Sequence, residues 1–217
     1  MNIICLKWGT KYNYVFVNKL YNMCVRHFEN FDFHCITEDP KNINKNINII
    51  PLPNDKLSKW WWKMWLFNEE WMTLNDSVYF DLDIILQDTF KIEYDKNTKF
   101  LYTDWVDCEQ MRQDVLSNHY QYCDINSSIL SWNKDTKRHH IWEEFEKNKE
   151  MIIFLFHGID NYINYKHKMS YSLYDNIAYS YSSNDKHRED RPVILFDYIQ
   201  NKQDTLMHID WVKKLWN

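Results

Sequence analysis

Apolar and polar positions fall in short blocks along this chain, and the blocks change period. Ile3–Leu6 is a continuous apolar run of strand length, broken by Lys7-Trp8-Gly9-Thr10-Lys11. From Tyr14 to Phe28 the apolar positions Val17, Leu20, Tyr21, Cys24 and Phe28 recur at helical spacing. Phe31–Thr37 reads as a second strand ended by Glu38-Asp39-Pro40, and Ile47–Ile50 as a third closed by Pro51 and Pro53. Trp60–Trp71 returns to helical spacing, with Trp61, Met64 and Trp65 on one stripe and Lys63 off it. Asn75-Asp76-Ser77 then opens Val78-Tyr79-Phe80, whose β-branched and aromatic side chains predict a buried strand. Strand, helix, strand, strand, helix and strand in this order predict an α/β fold with a sheet flanked by helices.

The second half is less regular. Phe100–Tyr102 and Ile125–Trp132 predict strands, and Ile141–Lys149 predicts a helix in which acids precede lysines. Met151–Phe156 is an apolar run that periodicity assigns to neither state. Pro192–Tyr198 predicts a last strand and Asp210–Trp216 a closing helix. No repeat or clear linker divides the 217 residues, so the expectation is a single domain over 1–217, with a donor-binding half to about residue 90 and an acceptor-side half beyond it.

Asp81-Leu82-Asp83 directly follows the strand at Val78–Phe80. Acids at i and i+2 beyond a strand's carboxyl end face one crevice, where open α/β sheets bind ligands. Two such carboxylates repel each other unless something positive sits between them. A hard divalent cation, Mg²⁺ or Mn²⁺, fits that role. On this reading Asn at either position relieves the repulsion and leaves the fold intact. The same pair also reads as two acids capping a turn into a following helix.

Composition narrows the field. A net charge of −5 argues against nucleic acid as a partner, and no apolar run approaches the ~20 residues of a membrane span. The N-terminus lacks the pattern of a signal peptide. Cys5, Cys24, Cys35, Cys108 and Cys123 are odd in number and form no C-x-x-C pair, so they read as reduced thiols of a cytoplasmic protein. Only two glycines occur, so Gly9 and Gly158 are expected where φ is positive or backbone approaches closely, and neither dinucleotide nor P-loop glycine motifs can be built. His139-His140 reads as a solvated helix face, and Asp104, Asp107 and Glu109 as a loop surface.

Residues 3–87 resemble the donor half of GT-A fold glycosyltransferases, in particular family 8-like members. The resemblance is carried by Lys7-Trp8-Gly9-Thr10-Lys11-Tyr12, Ile36-Thr37-Glu38-Asp39-Pro40, Trp60-Trp61-Trp62-Lys63-Met64-Trp65 and Val78-Tyr79-Phe80-Asp81-Leu82-Asp83, in family order. It continues through Asn126-Ser127-Ser128 and Asp210-Trp211-Val212. It implies a GT-A mixed sheet flanked by helices, a Mn²⁺ or Mg²⁺ cofactor and a nucleotide-sugar donor, UDP-sugar favoured, with an unnamed glycan, lipid or protein acceptor. Asp81-Leu82-Asp83 then corresponds to the D-x-D motif that meets metal and donor. Lys63 corresponds to the lysine that reaches the donor. Thr10, Tyr12, Thr37 and Asp39 lie in loops that cradle the nucleoside, Ser127 and Lys202 on the donor, and Asn126 and Asp160 at the reacting sugar. Two departures stand out. Gly158-Ile159-Asp160-Asn161 replaces Gly-Asp-Gln-Asp, and Phe196-Asp197-Tyr198 replaces Phe-His-Gly, which leaves Asp197 or His208 as the third metal ligand.

Two other readings share these residues. A haloacid-dehalogenase-like phosphatase also places D-x-D after an apolar strand, with the first acid as nucleophile. Against it, Ile84-Ile85 stands where Gly-Thr is usual and about 80 residues of α/β pattern come first. A non-catalytic scaffold of the same fold could hold a sugar through the aromatic residues, which make up 18% of the chain.

Overall fold

A computed structural model describes residues 1–103, 123–181, 187–196 and 208–216. Asn2–Lys7 (β1), Asp32–Thr37 (β2), Asn48–Pro51 (β3) and Ser77–Phe80 (β4) run parallel in the order β3-β2-β1-β4. Ile125–Trp132 (β7) joins β4 antiparallel, then Thr98–Tyr102 (β6) and Tyr171–Tyr174 (β8) complete a seven-stranded mixed sheet. A second sheet sets Ile84–Leu86 (β5) beside Val193–Leu195 (β10) and Ala178–Ser180 (β9).

The apolar runs are continuous because both faces of the large sheet are covered. Along β1, Ile3 and Cys5 point to one core while Ile4 and Leu6 point to the other. On the first face lie helix α1 (Tyr14–His27), the small sheet and the closing helix Asp210–Leu215. On the second lie a 3-10 helix at Lys59–Phe67 and the helices His139–Lys147 (α2), Lys149–Leu155 (α3) and Ile159–Lys166 (α4). Helix α1 opens where Asn13 accepts a hydrogen bond from the Val15 N–H, and closes with Arg26 and His27 in its last turn. Cys5, Cys24 and Cys35 are buried free thiols, and Cys123 is a half-buried one.

One expectation is corrected. The Trp60–Trp71 helix is a 3-10 helix that stops at Phe67. Its period of three aligns Trp61, Met64 and Phe67 on one buried edge, which a 3.6-residue reading splits. Lys63 lies off that edge, in line with Trp60, and is buried as well. The ambiguous apolar run at 151–156 falls largely within α3. Helix α4 and the strands β8 and β9 were not anticipated.

Arg138, 3% exposed, ties this layer together. Its Nε donates to the Leu66 carbonyl at 2.9 Å and its Nη2 to the Met72 carbonyl at 2.8 Å, while the guanidinium lies 5.0 Å from the Trp132 ring centroid. Burial pulls its pKa down to about 10 against the opposing charge of Glu69, so it stays cationic at neutral pH. Arg138→Met strands two carbonyls and is expected to cost about 2–4 kcal/mol, read as a lowered melting temperature. Arg138→Lys should fall between, since an ammonium lacks the fork. A wild-type melt for Arg138→Met would remove the guanidinium from the support of the 3-10 helix.

Candidate active site

β1, β2 and β4 are parallel, so their carboxyl ends lie at one edge of the sheet. From β1 the chain proceeds to β2 on one side and later to β4 on the other, which makes this edge the topological switch point where α/β sheets bind ligands. Loop 8–13 follows β1, Thr37 ends β2, and Asp81 follows β4. Gly9 has φ of 59°, in the left-handed region, and its N–H donates to Glu38 Oε1 at 2.6 Å, joining the two loops.

Asp81 and Asp83 flank a turn in which Leu82 is buried in the core, so the two acids meet different neighbours. Tyr79 precedes Asp81 by two residues and therefore shares its side of the strand; its hydroxyl donates to Asp81 Oδ1 at 2.6 Å. That side faces the 3-10 helix, from which Lys63 Nζ reaches Asp81 Oδ2 at 2.7 Å. Asp83 lies beyond the turn, and Tyr12 from the β1 loop donates to its Oδ2 at 2.8 Å. Burial, then Asp83 and Asp81, raise the Tyr12 phenol far above its ordinary range. Burial and Asp81 lead the same rise in Tyr79, with Asp83 contributing. Each phenol feels both acids, so the two carboxylates share one field, and both phenols are neutral donors at any working pH.

The opposite wall comes from β7. Phe100 pairs with Leu130 but Leu101 pairs with Asn126, so residues 127–129 bulge from the ladder with β6. Side chains take up the released amides. The Ser127 N–H donates to Asp160 Oδ1 at 3.1 Å, and the Ser128 N–H to Asn126 Oδ1 at 2.8 Å. Lys63 Nζ also donates to the Ser127 carbonyl and hydroxyl, both at 3.1 Å, and the Asp81 N–H donates to the Ser128 carbonyl at 2.9 Å. Burial pushes the Asp160 carboxyl above the usual carboxylate range, although Lys63 and the Ser127 hydrogen bonds pull it down.

Lys63, Asp81, Ser127 and Asp160 are thus linked by hydrogen bonds, Asn126 joins them through Ser128, and Tyr12 pairs with Asp83 across the acid turn. Thr10, Thr37, Asp39 and His208 lie outside this set of contacts. Thr10 is exposed in the loop turn. Thr37 is buried, and its hydroxyl bonds the backbone of Asp39. Asp39 is exposed, 3.8 Å from the buried Lys7 ammonium. His208 is exposed shortly before the closing helix. Asp197 and Lys202 lie outside the described residues, as do Asp104, Asp107 and Glu109. Among the described residues no three His, Cys, Asp or Glu side chains form a metal-holding group. Tyr79 was missed, though its i, i+2 relation to Asp81 is readable in any strand.

The donor set fits a hard cation. Mg²⁺ is commonly held by one or two carboxylates together with substrate phosphates, not by an all-protein cage. Asp81 and Asp83 provide two such carboxylates at the open end of a sheet.

No family model and no curated protein matches the sequence. Solved structures do. The galactosyltransferase LgtC, in complex with donor and acceptor sugar analogs, aligns with a TM-score of 0.64 at 13% identity, over 100% of this chain and 97% of its own. The glycosyltransferase GlyE of Streptococcus pneumoniae TIGR4 aligns at 0.61 and 11% identity, over 92% of this chain and 55% of GlyE. A glycosyltransferase involved in the glycosylation of the major capsid of PBCV-1 aligns at 0.57 and 10% identity, over 96% of this chain and 100% of its own. The chain has the GT-A fold of these glycosyltransferases.

Proposed function

We propose that this protein is a metal-dependent glycosyltransferase that moves a sugar from a nucleotide-diphosphate donor, UDP-sugar favoured, to a glycan, lipid or protein acceptor. The observation that carries the reading is the paired Asp81 and Asp83 at the switch point of a GT-A sheet, with Lys63 bridging Asp81 to Ser127. When bound, Mn²⁺ or Mg²⁺ neutralises the diphosphate as the sugar bond breaks. Asp81 and Asp83 would hold it, and Asp197 is the proposed further protein ligand. Tyr12 and Tyr79 would orient the two acids through neutral hydrogen bonds, while the charge of Asp81 would be shared between Lys63 and the cation. Lys63 places a positive charge on the β7 side, where Ser127 and Asn126 would line the sugar. Asp160, which accepts the Ser127 N–H of that wall, is the proposed group at the reacting centre. The phosphatase reading lacks the Gly-Thr that usually follows the acid pair, since Ile84-Ile85 stands in that place.

Melting with UDP- and GDP-sugars, with and without Mn²⁺, tests the proposal. A ligand at 100 times its Kd stabilises by about 2.7 kcal/mol. The expected result is a shift with a UDP-sugar that needs Mn²⁺, together with slow release of UDP. Release of inorganic phosphate, or no shift with any nucleotide-sugar, would overturn it.

A further inference from the structure

The three consecutive tryptophans do not share one environment. Trp61 and Trp62 are 4% and 6% exposed, but Trp60 is 37% exposed. In a 3-10 helix residues i and i+3 eclipse, so Trp60 stands on the same edge as Lys63, one turn or about 6 Å away. The indole rests on Gly158: a Cβ there would lie 2.7 Å from Trp60 Nε1 and 3.1 Å from its Cδ1. One of only two glycines in the chain is thus placed where this ring meets backbone. The His157 ring lies 5.5 Å from the indole, inclined at 41°, and Lys59 Nζ is 5.3 Å from it. Two residues beyond Gly158, Asp160 accepts the Ser127 N–H, so the indole and the site are joined through both the 3-10 helix and α4.

We infer that Trp60, seated on Gly158 and rimmed by His157 and Lys59, is the stacking floor of an acceptor-sugar subsite. The inference rests on the glycosyltransferase reading above. Its side of the site decides between donor and acceptor. Tyr12 and the β1 and β2 loops approach the acid turn from the α1 side, where a nucleoside would lie. Trp60 approaches from the 3-10 helix and α4 side, beyond Lys63. Its chemistry decides the ligand class. A pyranose offers an apolar C–H face and a rim of hydroxyls, which matches a half-exposed aromatic face bordered by an imidazole and an ammonium.

Saturation-transfer NMR on the protein with UDP and Mn²⁺, against a panel of methyl α- and β-hexopyranosides, tests this. Trp60→Leu keeps apolar bulk over Gly158 without an aromatic face, and Trp60→Phe keeps the face. At least one methyl glycoside should give a saturable signal in the wild type. Trp60→Leu should weaken its apparent Kd about tenfold, the scale of an aromatic contact, while Trp60→Phe stays close to wild type. The UDP-induced melting shift should be alike in all three proteins. An intact UDP shift with equal glycoside affinity in wild type and Trp60→Leu, or with no saturable glycoside in the wild type, overturns the subsite alone. A wild type that shifts with neither UDP nor GDP overturns the transferase reading and the subsite with it.

Discussion

Asp81→Asn is expected to abolish the Mn²⁺-dependent melting shift produced by UDP and, without ligands, to melt below wild type. Repulsion between the two acids alone predicts the opposite for the ligand-free protein. The difference is Lys63, which is 7% exposed and has its ammonium 2.7 Å from Asp81. An amide can still accept one of its hydrogen bonds but leaves a buried cation without its counter-charge. Breaking such a pair costs about 3–5 kcal/mol in fully buried cases, so a loss at or below the lower end is expected with Asp81 partly exposed. Asp83→Asn should lose the ligand shift as well, yet melt near wild type, because an amide oxygen can still accept from Tyr12. Lys63→Met combined with Asp81→Asn removes both charges and should recover much of the ligand-free stability without restoring UDP binding. A full Mn²⁺ and UDP shift in Asp81→Asn would return the pair to a structural turn.

Asp160→Asn is expected to lower sugar transfer by about 10²–10³-fold, the scale of losing one charged group at a reacting centre, while UDP binding persists. The asparagine oxygen can still accept the Ser127 N–H, so the bulge in β7 should hold. The wild-type carboxyl is raised by burial above its unfolded value. A raised acid favours the folded state at low pH, and that contribution is lost as pH rises through its folded pKa. Above that window Asp160→Asn should be the more stable protein and the less active one. Initial rates and melting curves across pH separate the two effects. Unchanged transfer would remove Asp160 from the reaction.

The donor half was readable because its strands are covered on both faces, so each appears as an unbroken apolar run. β1, α1, β2 and β4 fall within a residue or two of their expected limits. The 3-10 helix was read as an α-helix because nine residues crowded with tryptophan satisfy either period. Helix α4 carries Ile159, Tyr162 and Ile163 at helical spacing, a signal obscured by the polar residues between them. At the site, Asp81, Asp83, Lys63, Tyr12 and Ser127 were anticipated, but Tyr79 and the pairing of these side chains with one another were not. The Tyr12 contact with Asp83 spans 71 positions, and no local pattern encodes it. The bulge at 127–129 is equally hidden, since Ser-Ser-Ile suits a regular strand and only β6 determines where the ladder slips.

The acid turn is anchored at both ends, and to different sheets. The Asp81 N–H is held by Ser128 of the large sheet, and the Asp83 carbonyl accepts from the Phe196 N–H beside the small one. Leu82 between them is sunk into the core. This short span therefore acts as a fixed-length gauge between two layers. Adding or removing one residue there would leave one anchor unreached, or turn every side chain of β5 to its other face. Changes of side chain can be absorbed at Leu82 if bulk and apolarity are kept, whereas changes of length cannot. Drift in this chain is thus confined to substitution at the point where the two sheets meet.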